Sequence, residues 1–322
     1  MRVELSADVF GVDAYTPLVV LVYYFLEGRH DWVVVDPADL DVMDAYFAEH
    51  APSKAADWSE LARLGLTSQE WTSTAPLPPD VTVTRENLRD LVHDLGAAAR
   101  VVVENQAGDG AFLLAIAHAF GVTKIHEAKA KGWLKFVQGG GSSEVPKVAR
   151  SEAADFRRLK RVVFLLDSDR LTPGERSTHE KKAAQLLAEG IEGHILRFRE
   201  AENYVPDHVI AAAPHRDREA LKERVENLRD LIPEQRAHFD MKKGFRKRGT
   251  DEAMIPLAQQ ELYRSLHETT VVALGEGFGD RLTTVLLQEA EDGNLTEDDF
   301  ASLGAEVCDE LRTLLALIQK II

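Results

Sequence analysis

Through the middle of the chain, short runs of β-branched and large apolar residues alternate with longer stretches whose apolar positions recur at helical spacing. Strands are predicted at Arg100-Val-Val-Val-Glu104, Leu134–Gln138, Val162–Leu166 and His194–Phe198. Helices are predicted over Arg85–Ala99, capped by Thr84, and over Ala111–Phe120, Glu144–Leu159 and Arg176–Glu189. The run Val162–Leu166 is apolar throughout rather than alternating, as expected of a strand covered on both faces. Strand and helix in this rhythm predict a parallel α/β sheet with right-handed crossovers.

The flanks differ from this middle part. Residues 1–80 mix an apolar stretch (Pro17–Phe25), a strand-like Trp32-Val-Val-Val-Asp36 and helical patterns at Ala38–His50 and Ser59–Leu64. They end in Ala75-Pro-Leu-Pro-Pro-Asp80, a boundary signal because proline disfavours both helix and ladder. Residues 211–322 are mostly helical in pattern, at Leu221–Leu231, Ile255–Leu266, Arg281–Glu289 and Phe300–Ile322, the last with Thr296 as a cap. The expected architecture is α/β: a four-stranded parallel sheet within 81–210, between an N-terminal mixed α/β part and a mostly helical C-terminal part. The apolar end Leu317–Ile322 fits either a homo-oligomer contact or burial against its own domain.

Composition narrows the class. The chain has 322 residues, 45% hydrophobic and 29% charged, as expected of a globular protein. One cysteine, Cys308, rules out an intramolecular disulfide framework or a multi-thiolate zinc site and fits a reducing cytoplasm. The start Met1-Arg-Val-Glu-Leu-Ser-Ala-Asp8 carries charges where a secretory leader needs apolar residues. The run Leu18–Phe25 is shorter than the roughly 20 residues of a membrane span. A net charge of −16 argues against nonspecific coating of nucleic acid, although acidic enzymes reach phosphate through metal ions and a local basic patch. Lys242, Lys243, Arg246, Lys247 and Arg248 form such a patch in segment 242–248; a solvated basic helix or loop is the simpler reading of it.

Acids recur where the predicted strands end. Glu104 closes the first, and Asp109 opens the following helix. Asp167 and Asp169 close the third, and Glu200 and Glu202 follow the fourth. In a parallel sheet these ends share one rim, where α/β proteins bind ligands. Several carboxylates at close range raise one another's pKa, and a divalent cation such as Mg²⁺ or Mn²⁺, one ion or two, relieves that conflict. Such ions activate water and stabilise a leaving oxygen in phosphoryl chemistry. Lys242 and Lys243 are candidates for transition-state charge, and Gly139–Gly141, with Gly140 at the centre, offer backbone to phosphate.

In this pattern the chain resembles the Toprim family, shared by topoisomerases, bacterial primases, recombination proteins and the overcoming-lysogenization-defect nucleases. The matching residues are Val101-Val-Val-Glu104 with Gly108-Asp109 and Phe112-Leu113, then Leu165-Leu-Asp167-Ser-Asp169, then Arg199-Glu-Ala-Glu202-Asn203-Tyr204. The last element is most similar to the lysogenization-defect branch. The resemblance spans residues 100 to 210 and extends to Lys242-Lys243-Gly244. It implies acid/base or metal-binding work for Glu104, metal binding at Asp167 and Asp169, and supporting acids at Asp109 and Glu202. Four residues separate Glu104 from Asp109, one more than that branch leads one to expect. The branch's ATPase is not represented by any Gly-x-x-x-x-Gly-Lys-Ser/Thr loop, which implies either a stand-alone nuclease or a motor on another polypeptide.

The expected function is therefore a metal-dependent endonuclease, DNA before RNA, of the kind that serves as effector in anti-phage or mobile-element systems. The alternative is a non-catalytic Toprim-like scaffold binding partners through its flanks. A phosphatase with Asp167 as nucleophile ranks third, because Leu171 stands where that chemistry expects Thr or Val. His126, His179 and His194 are scattered and read as structural or exposed, and Glu200 as solvent-facing.

Overall fold

The computed structural model describes residues 1–11, 15–72, 78–246 and 252–322. Lys247 and Arg248 of the basic segment, and residues 75–77 of the proline-rich stretch, lie outside the described residues. The described residues build two parallel sheets. The first joins β1 (Arg2–Leu5), β2 (Asp31–Val33) and β3 (Val81–Val83) in the order β2-β1-β3. The apolar stretch after β1 becomes the helix Tyr15–Leu26, burying Leu18, Leu21, Val22 and Phe25 at the three- and four-residue spacing of one helical face.

This first core reaches beyond residue 80. β3 pairs with β1 from the far side of the proline-rich stretch, and the helix Leu88–Gly96 buries Leu88, Leu91 and Leu95 against the same cluster. The helix expected over Arg85–Ala99 is thus shorter and packs with the N-terminal sheet. Asn87, rather than Thr84, precedes its first turn.

The second sheet has the expected four parallel strands, β4 (Ala99–Val103), β5 (Leu134–Gln138), β6 (Val162–Leu166) and β7 (Glu192–Ile195), in the order β5-β4-β6-β7. β4 and β6 are its central strands. Val101, Val103, Val163 and Leu165 face one core, and Val102, Val162, Phe164 and Leu166 face the other, beneath the helix Val145–Ala153. Burial on both sides explains why β6 reads as an unbroken apolar run. β7 sits earlier than the expected His194–Phe198, because the edge strand stops at Ile195 and the chain then turns toward the rim.

The C-terminal helices share the first of those cores. The helices Leu282–Glu291 and Val307–Ile321 bury Leu286, Leu311, Leu314 and Ile318 in the cluster that holds Phe112 and Ile116 of the helix Gly108–Ala119. The helix expected over Phe300–Ile322 breaks into Glu297–Ala301 and Val307–Ile321. Around 255–266 the expected helix is replaced by turns and a short 3₁₀ segment, Leu257–Gln259. The Gln259 amide there donates to the carbonyls of Leu171 and His238, satisfying loop backbone that a regular helix would leave unpaired.

At the opposite end of the sheet, fully buried Arg161 ties the parts together. Its Nη1 donates to the carbonyls of Asp94, Leu95 and Ala97, and its Nε to that of Ile321. It thus joins the carboxyl ends of two helices at the foot of β6, where a cation meets the negative pole of the helix dipole. Among the described residues, no helix is long and apolar enough to cross a membrane.

Candidate active site

Because the strands are parallel, the carboxyl ends of β4, β6 and β7 open on one rim. Glu104 follows β4 directly. The next turn is closed by Asp109, whose Oδ2 accepts from the Asn105 N–H at 2.9 Å as the helix Gly108–Ala119 begins. The glycine turn after β5 packs beside it, with the Gly139 N–H donating to the Val103 carbonyl (2.7 Å) and the Gly140 N–H to that of Glu104 (3.2 Å). Gly140 and Gly141 take φ of 82° and 110°, which a side chain would oppose.

After β6 the chain turns sharply. Asp167 Oδ1 accepts from the Ala201 N–H at 3.1 Å, which joins the end of β6 to the segment after β7. Asp169 sits at φ 53°, alone in that region among non-glycine residues described. Aspartate tolerates this conformation better than most side chains, and the Asp169 N–H is held by the Arg199 carbonyl at 3.1 Å.

Beyond β7, Ala201–Tyr204 forms a short 3₁₀ helix with Glu200 and Asn203 as a reciprocal cap. The Asn203 amide donates to the carbonyls of Arg236 (2.7 Å) and Phe239 (3.0 Å). Arg199 reinforces the join through the Ala237 carbonyl and Asp240. Tyr204 is fully buried, donating its hydroxyl to Glu310 at 2.7 Å, and Glu310 also takes His194 at 2.8 Å. His194 is structural, as expected.

These joins deliver Lys242 into the acids. Its Nζ lies 2.9 Å from Glu202 Oε2 and 3.3 Å from Glu200 Oε2, and its N–H reaches Glu200 Oε1 at 3.2 Å. Glu200 is buried rather than solvent-facing, at 8% exposure. The backbone around Lys242 is clamped by Phe278 and Gly279, whose N–H groups donate to the carbonyls of Met241 and Lys242. A Cβ on Gly277 would run into the Lys242 carbonyl.

The acids feel one another. Burial, then the charges of Asp169 and Asp109, push the Glu104 carboxyl up to about 7, with the Asp167 N–H and Lys242 pulling back. Burial, then Asp109, Glu202 and Glu104, hold Asp167 well above the usual carboxylate range. Burial also raises Asp109 and Glu202, and pushes Glu200 up to about 7, each against the opposing pull of Lys242. Burial alone would lower Lys242, but Glu200, Glu202 and Asp167 outweigh it and raise the ammonium's pKa.

The structure thus gathers Glu104, Asp109, Asp167, Glu202 and Lys242, with Asp169 at the outer lip. Lys243 is exposed, its N–H bound to Asp240, and Arg246 is exposed in a bridge to Ala253. Glu200, expected among the acids of the rim but facing solvent, is instead buried with them, and His179 joins the rim without having been expected there. Asp169 Oδ2 lies 3.1 Å from Nε2 of His179, a residue that no sequence motif marks. A buried residue after a loop of Pro, Gly and charges carries no periodic signal.

The donor set is oxygen-rich and suits a hard divalent cation. Glu104 Oε1 is buried without a hydrogen-bond partner among the described residues, as a group awaiting a ligand would be. Among the described residues, however, no group of three His, Cys, Asp or Glu side chains stands ready to hold an ion, and the Lys242 ammonium supplies the positive charge between Glu200 and Glu202. Comparison with family models finds no match, and comparisons with curated proteins and with solved structures find none either.

Proposed function

We propose that this rim is the active site of a divalent-metal-dependent phosphodiester hydrolase, a Toprim-like nuclease acting on DNA before RNA. The observation that carries the reading is the convergence of Glu104, Asp109, Asp167 and Glu202 from three strand ends: burial raises the pKa of all four, and neighbouring acid charge adds to it at Glu104, Asp167 and Glu202. Such an arrangement is costly unless cations answer it. Glu104, Asp109, Asp167, Asp169 and Glu202 would hold the ion.

Mg²⁺ or Mn²⁺, when bound, lowers the pKa of water and neutralises phosphate charge. Glu104, with Oε1 buried and unpartnered among the described residues, is placed to take a proton from the attacking water. Lys242 holds positive charge beside the acids, where it can face charge developing on a phosphate oxygen. At the Gly139–Gly141 turn the N–H groups of Gly139 and Gly140 are committed to carbonyls, and the backbone at Gly141 is the part that can approach a phosphate.

One observation favours a second reading. Lys242 already neutralises Glu200 and Glu202, as a purely structural knot in a non-catalytic scaffold would require. Supercoiled plasmid incubated with the purified protein and Mg²⁺ or Mn²⁺ separates the two. The hydrolase reading expects nicked product, lost with a chelator and reduced at least about 10²-fold by Asp167→Ala. A wild-type protein that leaves the plasmid intact, or an Asp167→Ala variant of full activity, sinks it.

A further inference from the structure

We propose that His179 is a positioning residue for the rim, fixing the Asp169 carboxylate so that its other oxygen is presented to a divalent cation. The inference rests on the metal-dependent reading above and names a residue which that reading does not use. His179 is 4% exposed, whereas the Asp169 side chain is 58% exposed. An outward carboxylate is therefore held by a ring embedded in protein.

The ring itself is held by a frame. Ser168 Oγ donates to the Phe198 carbonyl (2.7 Å), and Ser177 Oγ donates to the Ser168 carbonyl (2.8 Å). The His179 N–H in turn reaches Ser177 Oγ at 3.2 Å. Ser168 and Ser177 are buried, so the loop after β6 closes on its own polar groups and spends them on placing one imidazole.

The tautomer follows from the surroundings. Nε2 faces Asp169 Oδ2 at 3.1 Å, whereas Nδ1 is buried with no partner among the described residues. A proton on Nδ1 would be stranded there and would set the Nε2 lone pair against a carboxylate lone pair. The proton therefore belongs on Nε2, which donates to Oδ2. Asp169 already sits in a left-handed backbone conformation, and the imidazole removes the remaining freedom of its side chain. Partners of this kind typically contribute tenfold to a hundredfold in metal affinity.

The test is Mn²⁺ affinity of the full chain by titration calorimetry, with thermal melting as the control for folding. His179→Ala is expected to weaken Mn²⁺ binding by about tenfold or more. His179→Gln, whose amide nitrogen can occupy the place of Nε2, should restore most of it; His179→Asn, one bond shorter, should not. In an Asp169→Ala background, His179→Ala should change nothing further, because the two residues act through one hydrogen bond. Equal affinity in wild type and His179→Ala, or a loss that persists in the Asp169→Ala background, overturns the role of His179 alone. No uptake of Mn²⁺ by the wild type overturns the metal-dependent reading and this inference with it.

Discussion

The Lys242 ammonium lies 2.9 Å from the Glu202 carboxylate, so a cation from outside the four-stranded sheet answers an acid presented at its rim. The two residues are brought together by Asn203, whose amide holds the backbone of Arg236 and Phe239 just ahead of the lysine. Glu200, on the other side of Nζ, completes the arrangement.

Removing that ammonium should expose the repulsion it relieves. Lys242→Met is expected to lower stability without added metal by about 2 kcal/mol, between the values for screened and fully buried pairs. Saturating Mn²⁺ should recover most of the loss, since a ligand bound only by the folded state stabilises it. Urea unfolding with and without Mn²⁺ measures both effects. A variant as stable as wild type in chelator would mean that the acids need no counter-charge.

Stability should fall as pH rises toward neutrality. Glu104 loses its proton near 4.5 in the unfolded chain but near 7 when folded, and Glu200 behaves in the same way. Both bind protons more tightly in the folded state, so their contribution is full below about 4.5 and is lost as pH rises through about 7. Glu104→Gln cannot ionise. It should melt above wild type at pH 8 by roughly 1–2 °C for each kcal/mol regained, and level with it at pH 4. Melting curves across that range in chelator decide this; a difference independent of pH contradicts it.

The backbone clamp on Lys242 should tolerate no side chain at Gly277. Gly277→Ala drives a methyl group into the Lys242 carbonyl and is expected to cost about 1–3 kcal/mol. Gly279→Ala is a useful contrast. A Cβ there meets nothing, yet φ of 77° disfavours it, so its cost is conformational rather than a collision with the Lys242 backbone. Urea midpoints compare the two, and equal losses of Mn²⁺ affinity in both would argue against a clamp specific to Gly277.

Much of the fold was legible because the central sheet writes itself strongly. β5 and β6 lie where their apolar runs place them, and β4 is displaced by a single residue, since strands buried on both faces admit few polar positions. β1 and β3 were not legible. Each is a few residues long and finds its partner across most of the N-terminal part, a pairing that no local pattern records. The helix Leu88–Gly96 shows a clear amphipathic face, yet the pattern does not say which sheet that face meets.

The sequence alone determined the strand-and-helix rhythm and the acids at the strand ends, Glu104, Asp167 and Asp169, because these follow from periodicity and from where an apolar run stops. Tertiary structure alone decided that Lys242 rather than Lys243 enters the acids, that Glu200 is buried with them, and that His179 meets Asp169. Local propensity sets which way a backbone runs, whereas the company a charged side chain keeps depends on chain segments distant along the sequence, and on the desolvation they impose together.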